Sequence, residues 1–500
     1  MEMTALEIAS GIKAKKFSVP EIVNAYIDNI EKNDKQYNAF LAVAKESALK
    51  RAGEIQLRIE KGGDSQIALS PLAGVPIALK DNISTEGLET TCASKMLSGY
   101  KPVYNAAVVE KLESAGLIII GKNNMDEFSL GSGSCHGSFD KTGAFGVIRN
   151  PWDVTRMAGG SSGGSAAAIA AGQAPLAIGT DTGGSIRQPC SFCGVTGIKP
   201  TYGSVSRFGI VASASSLEQA GPMGQNIEDC AALLSIISGP DERDSACVIE
   251  KPFEFGNSCA DSGTGMKGVK IGLPVNFLAS ETAQDVKDAV LAAAKEFEAA
   301  GASIEEFEMP LMEYIMPTYC IIASAEISSN FAKYDGLKYG HRSPNAKTLS
   351  EVYRLSRSEG FGPEVKRRIM LGSFVLSAGQ YDVYYKKALQ ARAMIKDAYN
   401  KLFERFNIIL SPVAPTTAYE LEKNKNDPWQ MQIGDIYTAS VNLAGLPAAA
   451  LPCGFGKDGL PIGFQLIGNA FTENKLVDAG RVYQNRTTYH TKKPGKQNDK

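Results

Sequence analysis

The sequence predicts an α/β fold in one large domain, a single large β-sheet with α-helices around it. Short apolar runs bounded by turn residues alternate with amphipathic stretches along all 500 residues. Neither an internal repeat nor a long linker divides the chain. Its composition, 44% hydrophobic and 21% charged, is that of a globular protein able to bury a large core.

The first 65 residues read as helical. Ser18-Val-Pro-Glu21 is a capping box with proline in the first turn, and Ile22, Val23, Tyr26, Ile27 and Ile30 follow as a stripe at helical spacing. A second helix is expected over 42–60. Leu72 to Lys80 reads as a short buried strand ending at a lysine, 107–115 as a helix, and 117–120 as a buried strand. Glycine punctuates 121–209, where 165–171 reads as a small-residue helix and 177–179 as a strand. Residues 239–268 read as a loop, 269–273 as a strand and 282–300 as an amphipathic helix. Residues 335–365 look irregular, helices resume to 405, and 407–410 is a strand. A hairpin over Gly456-Lys-Asp-Gly459 joins 448–455 to 460–467, and a last helix ends near 485. The domain is expected to span 1–488, and the polar residues 489–500 to be a disordered tail.

Net charge is −2, and the basic clusters are small. A chain that grips nucleic acid by itself shows a basic face, so any such partner is expected to be held mostly by another chain. Nothing resembles a membrane span or a signal peptide. Nine scattered cysteines do not form a disulfide framework, which fits a reducing cytosol or an organelle matrix. Cys190-Ser-Phe-Cys193 lacks the second pair a zinc site needs and reads as two buried thiols. No metal site is expected.

Two motifs tempt. Gly116 to Lys122 nearly fits a phosphate-binding loop, but the closing Ser/Thr is missing and the intervening residues read as strand. Gly160-Ser-Ser162-Gly-Gly164 fits a nucleophile elbow, but 150–159 do not read as a strand, and only His341 and His490 follow as bases.

The stronger pattern pairs Gly159-Gly-Ser161-Ser162-Gly-Gly-Ser165 with Gly179-Thr-Asp-Thr-Gly-Gly-Ser185-Ile-Arg-Gln-Pro189. Glycines before Ser185 let backbone N–H groups converge on one point, as an oxyanion hole requires. A serine there sits where a nucleophile belongs, and it needs a base. With three histidines in the chain, lysine is the natural replacement. Lys80 ends a nearly uncharged strand, where burial would lower its pKa, and Ser161 can relay the proton between Ser185 and Lys80. Taken singly, a lysine after a strand is commonly a solvated end, and a Gly-Ser run a flexible loop.

These residues at this spacing resemble the amidase-signature family along nearly the whole chain. The resemblance implies a twisted mixed sheet wrapped by helices. It also implies a triad of Lys80, a cis Ser161 and nucleophilic Ser185, with the oxyanion held by the N–H groups of Thr182, Gly183, Gly184 and Ser185.

Longer blocks narrow the branch. Asn124 to Ser132, Gln188 to Gly209, Ala214-Ser-Ser-Leu-Glu-Gln-Ala-Gly-Pro222 and Val441-Asn-Leu-Ala-Gly-Leu-Pro447 resemble the glutaminase subunits of the glutamyl-tRNA(Gln) amidotransferases. That branch hydrolyses glutamine and hands ammonia to a partner subunit that amidates Glu-tRNA(Gln). The resemblance implies the amidotransferase B and C subunits as partners in a heterotrimer and no cofactor in this chain. ATP and Mg would be used by the partner, and the location would be the bacterial cytoplasm. Free glutamine presents a carboxylate and an ammonium, for which an arginine and an acid are expected. By block position these are Arg368 and Asp435, with Tyr319 as a further contact. Read without the resemblance, Arg368 is a surface helix charge, Asp435 a turn residue and Tyr319 a packed aromatic. The chain departs from the family at Gly133-Ser-Cys135-His136-Gly-Ser138, and Cys190 stands where alanine is usual. Two alternatives are a free-standing amidase, against which Arg368 and Asp435 argue, and a non-catalytic scaffold, against which the intact triad argues.

Overall fold

The computed structural model describes residues 3–61, 70–131, 145–256, 265–279, 281–421 and 434–495. Its strands are β1 (Phe40–Val43), β2 (Pro76–Lys80), β3 (Ile118–Asn123), β4 (Arg149–Asn150), β5 (Asp153–Met157), β6 (Leu176–Asp181), β7 (Thr196–Lys199), β8 (Gln219–Gly224), β9 (Lys270–Pro274), β10 (Ser303–Phe307), β11 (Ile408–Pro412), β12 (Ala448–Phe455) and β13 (Pro461–Ile467). β4 and β5 form a separate two-stranded sheet. The other eleven form one sheet in the order β1-β3-β2-β6-β8-β7-β12-β13-β11-β9-β10. The sheet is mixed. β3, β2 and β6 run parallel at one end and β11, β9 and β10 at the other, with antiparallel pairs between them.

Burial explains the strand sequences. β2 and β6 are buried at every position, so they read as continuous apolar runs rather than alternating ones. β10 lies at an edge, and four of its five residues are at least partly exposed. Helices surround the sheet. The N-terminal helices Ala5–Lys13 and Val19–Asn33 both begin in capping boxes, at Thr4 with Glu7 and at Ser18 with Glu21. They bury Ile8, Ile12, Ile22, Tyr26 and Ile27 in the larger core, which also takes in the apolar faces of Gln284–Ala299 and Glu473–Arg486. A second core joins the helices Met312–Asn330, Pro363–Val375 and Lys386–Phe403.

Several expectations change. The helical N-terminal part is interrupted by β1, which pairs antiparallel with β3 and caps the sheet edge. β5 lies where no strand was expected, but it is a largely solvent-facing hairpin partner rather than the strand of an elbow. Gln219-Ala-Gly-Pro-Met-Gly224 forms the interior strand β8 despite its glycines and proline. Small residues are required there, since a Cβ on Gly221 would stand 2.1 Å from the Ile198 carbonyl oxygen. The stretch expected to be irregular contains the helix Leu349–Gly360, opened by a Thr348–Glu351 capping box. Of the tail expected to be disordered, Tyr489–Thr491 forms a 3-10 turn, while 496–500 lie outside the described residues. No described helix is long and apolar enough to cross a membrane.

Candidate active site

β2 and β6 are parallel neighbours, with Leu79 beside Ile178, so their C-terminal ends open at the same edge of the sheet. In such sheets ligands bind beyond the carboxyl ends of the strands. Lys80 ends β2. Thr180 and Asp181 end β6 and lead directly into Thr182-Gly-Gly-Ser185. The Ser161–Ser162 turn enters the helix Gly163–Ala170, and it is tied to Ser185 by the Ser162 N–H donating to the Ser185 carbonyl at 3.1 Å.

Lys80 Nζ donates to Ser161 Oγ at 2.7 Å and to the Thr180 carbonyl at 3.2 Å. Both side chains are fully buried, and Ser185 is 7% exposed. The Gly160–Ser161 peptide is cis. Burial pushes the Lys80 ammonium down to about 8, opposed by the charges of Glu218, Asp126 and Asp181. This lysine is therefore poised to accept a proton near neutral pH, through a serine already bonded to it. Ser162, the elbow serine, has a structural task instead: its Oγ donates to the Thr180 carbonyl and accepts from the Thr180 N–H.

The glycine turn is held on every side. Asp181 Oδ2 accepts the N–H groups of Ile186 and Arg187, and the Gly184 carbonyl accepts the Gln188 N–H at 2.8 Å. Gly184 has φ of +150°, and a Cβ there would stand 2.4 Å from Thr438 Oγ1 and 2.9 Å from Asp435 Oδ1. A Cβ on Gly183 would stand 2.6 Å from Tyr319 Oη. Only glycine fits either place. These contacts also put Tyr319 and Asp435, 116 residues apart in sequence, against the same two-residue turn.

Arg368 joins them. It lies on Pro363–Val375, and its side chain is 10% exposed, whereas Arg367 beside it is 38% exposed. It points inward, with Nε donating to Glu364 Oε1 at 2.7 Å. Burial and the charge of Asp435 raise the Tyr319 hydroxyl, while Arg368 opposes them, so the three side chains share one electrostatic neighbourhood. A guanidinium, a carboxylate and a phenol gathered beside the glycine turn suit a small zwitterion.

The sequence reading missed the scaffold behind the turn. Arg187, fully buried, forms a two-point ion pair with Asp181 (Nε to Oδ2 and Nη2 to Oδ1, both 3.0 Å). It also donates to Gln465 Oε1, the Thr438 carbonyl and Asn442 Oδ1. The available signal was an arginine two residues after the nucleophile and an aspartate four before it.

The other candidates fall away on geometry. Lys122, from the near-miss phosphate loop, is buried and donates to the Ile83 carbonyl and Thr90 Oγ1, 3.4 Å from Asp81. His341 meets Glu359 at 2.9 Å, away from the triad. Cys190 and Cys193 are free, buried thiols, and burial raises both. Cys135 and His136 lie outside the described residues. Among the described residues, no cluster of three His, Cys, Asp or Glu is arranged to hold a metal ion.

The chain is similar to known proteins over nearly its full length. The amidase family model matches residues 21–477. The A subunit of the glutamyl-tRNA(Gln) amidotransferase of Agathobacter rectalis is 51% identical over 97% of this chain and 94% of its own length. Its counterpart from Symbiobacterium thermophilum is 48% identical over 96% of each. Among solved structures, the A subunit of the Thermotoga maritima glutamyl-tRNA(Gln) amidotransferase superposes with a TM-score of 0.77 at 37% identity, covering 95% of this chain and 94% of that one. A bacterial aryl acylamidase of the amidase signature enzymes gives 0.84 at 25% identity, covering 98% of each. By sequence over nearly its full length and by fold, the chain belongs to the amidase family.

Proposed function

We propose that this chain is the glutamine-hydrolysing subunit of a tRNA-dependent amidotransferase, releasing ammonia that a partner subunit uses to convert Glu-tRNA(Gln) to Gln-tRNA(Gln). The observation that carries the reading is the short Lys80–Ser161 hydrogen bond beside a glycine turn that Tyr319 and Asp435 both touch. Similarity to the corresponding amidotransferase subunits supports it from a second direction.

Ser185 Oγ attacks the side-chain amide carbon of glutamine. Its proton passes to Ser161, and the Ser161 proton to Lys80. The N–H groups of Thr182, Gly183, Gly184 and Ser185 hold the oxyanion, a kind of contact worth about 10²–10³ in rate. The proton then returns through Ser161 to the leaving nitrogen, ammonia departs, and water cleaves the glutamyl ester by the same relay. Arg368 takes the substrate carboxylate, Asp435 the ammonium, and Tyr319 packs beside them. ATP and Mg belong to the partner's chemistry. The amidotransferase B and C subunits are the proposed partners, tRNA is held mainly by the partner, as the net charge of −2 suggests, and the setting is the bacterial cytoplasm.

The test is ammonia release from glutamine by the native, partner-associated protein, with and without Glu-tRNA(Gln) and ATP. Turnover stimulated by charged tRNA supports the assignment. Efficient cleavage of simple amides by the chain alone, indifferent to tRNA, makes it a free-standing amidase instead.

A further inference from the structure

Behind Lys80 lies a carboxylate that the mechanism above does not use. Glu218, 2% exposed, precedes β8. Its Oε1 accepts from Asn82 Nδ2 at 3.3 Å and its Oε2 from the Ser213 N–H at 3.2 Å. The same Asn82 amide donates to Thr180 Oγ1 at 3.0 Å, and the Thr180 carbonyl accepts from Lys80. Lys80, Asn82, Thr180 and Glu218 thus form one buried polar cluster. Glu218 also lines a cavity of about 200 Å³ with Arg207, Arg243 and Asp244, none of which belongs to the Tyr319–Arg368–Asp435 group.

We propose that Glu218 is a positioning residue, the counter-ion that holds the proton-bearing form of Lys80 during acyl transfer, acting across the Asn82–Thr180 bridge. The proposal rests on Lys80 being the base of Ser185. When the Ser185 Oγ–carbon bond forms, one proton arrives on Lys80. When the carbon–nitrogen bond breaks, that proton leaves through Ser161 to the departing nitrogen. Between the two events an ammonium stands in a fully buried site, where an uncompensated charge is costly. Glu218 is the leading anionic influence on Lys80, ahead of Asp126 and Asp181. Glu218 in turn faces Lys80, Arg207 and Lys333. Its own proton affinity is raised by burial, and the cavity it lines holds none of Tyr319, Arg368 and Asp435.

The experiment uses the full-length chain with its co-purified partners. It compares Glu218→Gln and Glu218→Asp with the parent in glutamine turnover against pH, in the rate of Ser185 labelling by a fluorophosphonate, and in thermal melting. Glu218→Gln lowers kcat about tenfold, with KM for glutamine little changed, and moves the acid limb of both profiles down by about one pH unit, because removing the anion makes Lys80 easier to deprotonate. Glu218→Asp keeps the limb near its original position. Where Glu218→Gln does not fold, Asn82→Asp brings a second anion to the bridge and moves the limb upward. A kcat loss with an unmoved limb in both Glu218→Gln and Asn82→Asp means a packing role and overturns the proposal. If the parent labels at Ser185 with the predicted pH response but does not turn over glutamine, the substrate reading fails and this inference stands. If Ser185 does not label, the base assignment fails and the inference with it.

Discussion

Gly184 shows how narrowly the site is determined by single residues. Its φ of +150° and its contacts with Thr438 and Asp435 leave no room for a methyl group. Gly184→Ala is expected to lower glutamine turnover by about 10²-fold or more, since it displaces both an oxyanion donor and the Asp435 contact. Steady-state kinetics beside a melting curve checks this, and near-normal kcat would show that the turn is not the oxyanion hole. Lys80 gives a pH expectation. The working base must be unprotonated, and its native pKa is about 8, so turnover rises with pH and levels off above that value. A profile flat from pH 6 to 9 would contradict a lysine base. Arg368→Leu is expected to raise KM for glutamine with a smaller effect on kcat, because the carboxylate contact is made before and during the reaction alike. Simple amides lacking that carboxylate should be insensitive to the substitution.

At the scale of elements, the site is the meeting of two parallel strand ends with two loops. Its rigidity comes from the ion pair behind them. Arg187→Met would leave Asp181 buried without its cation, at a cost of about 3–5 kcal/mol. The Arg187 guanidinium holds Asp181 well below the usual carboxylate range against the opposing effect of burial. The sign follows. The stabilisation is complete above the pKa of an unfolded aspartate and is lost as pH falls toward the depressed native value. Chemical denaturation at neutral pH should therefore show a large loss in the variant, and the gap should narrow as pH falls, because the unpaired, buried Asp181 of the variant takes up a proton before the parent's does. An equal loss at all pH values would mean that packing around the arginine, rather than its charge pairing, stabilises the turn.

Over the whole molecule, legibility followed burial. The strands leading to Lys80 and Ser185, β2 and β6, were plain because burial on both faces makes them continuous apolar runs. The N-terminal helices were plain because their caps lie in the local sequence. β8 was hidden because its small residues answer to close neighbours across the sheet, which no local pattern records. β1 was hidden because an edge strand of four residues inside helical surroundings carries little periodicity. Lys80, Ser161 and Ser185 were named from glycine chemistry and histidine scarcity. Tyr319, Arg368 and Asp435 needed the family resemblance, since their approach depends on two helices and a turn far apart in sequence. Arg187 and Glu218 were present in quoted motifs yet had no role until the fold supplied their partners.

Formation of a glutamyl ester on Ser185 during glutamine hydrolysis is the step on which the proposed mechanism rests. Its most direct test is mass spectrometry of the partner-associated protein quenched in acid during turnover, beside Ser185→Ala. A glutamyl adduct is expected on the peptide carrying Ser185, absent in the variant together with ammonia release. Ammonia release that persists in Ser185→Ala, or an adduct on another residue, would contradict it.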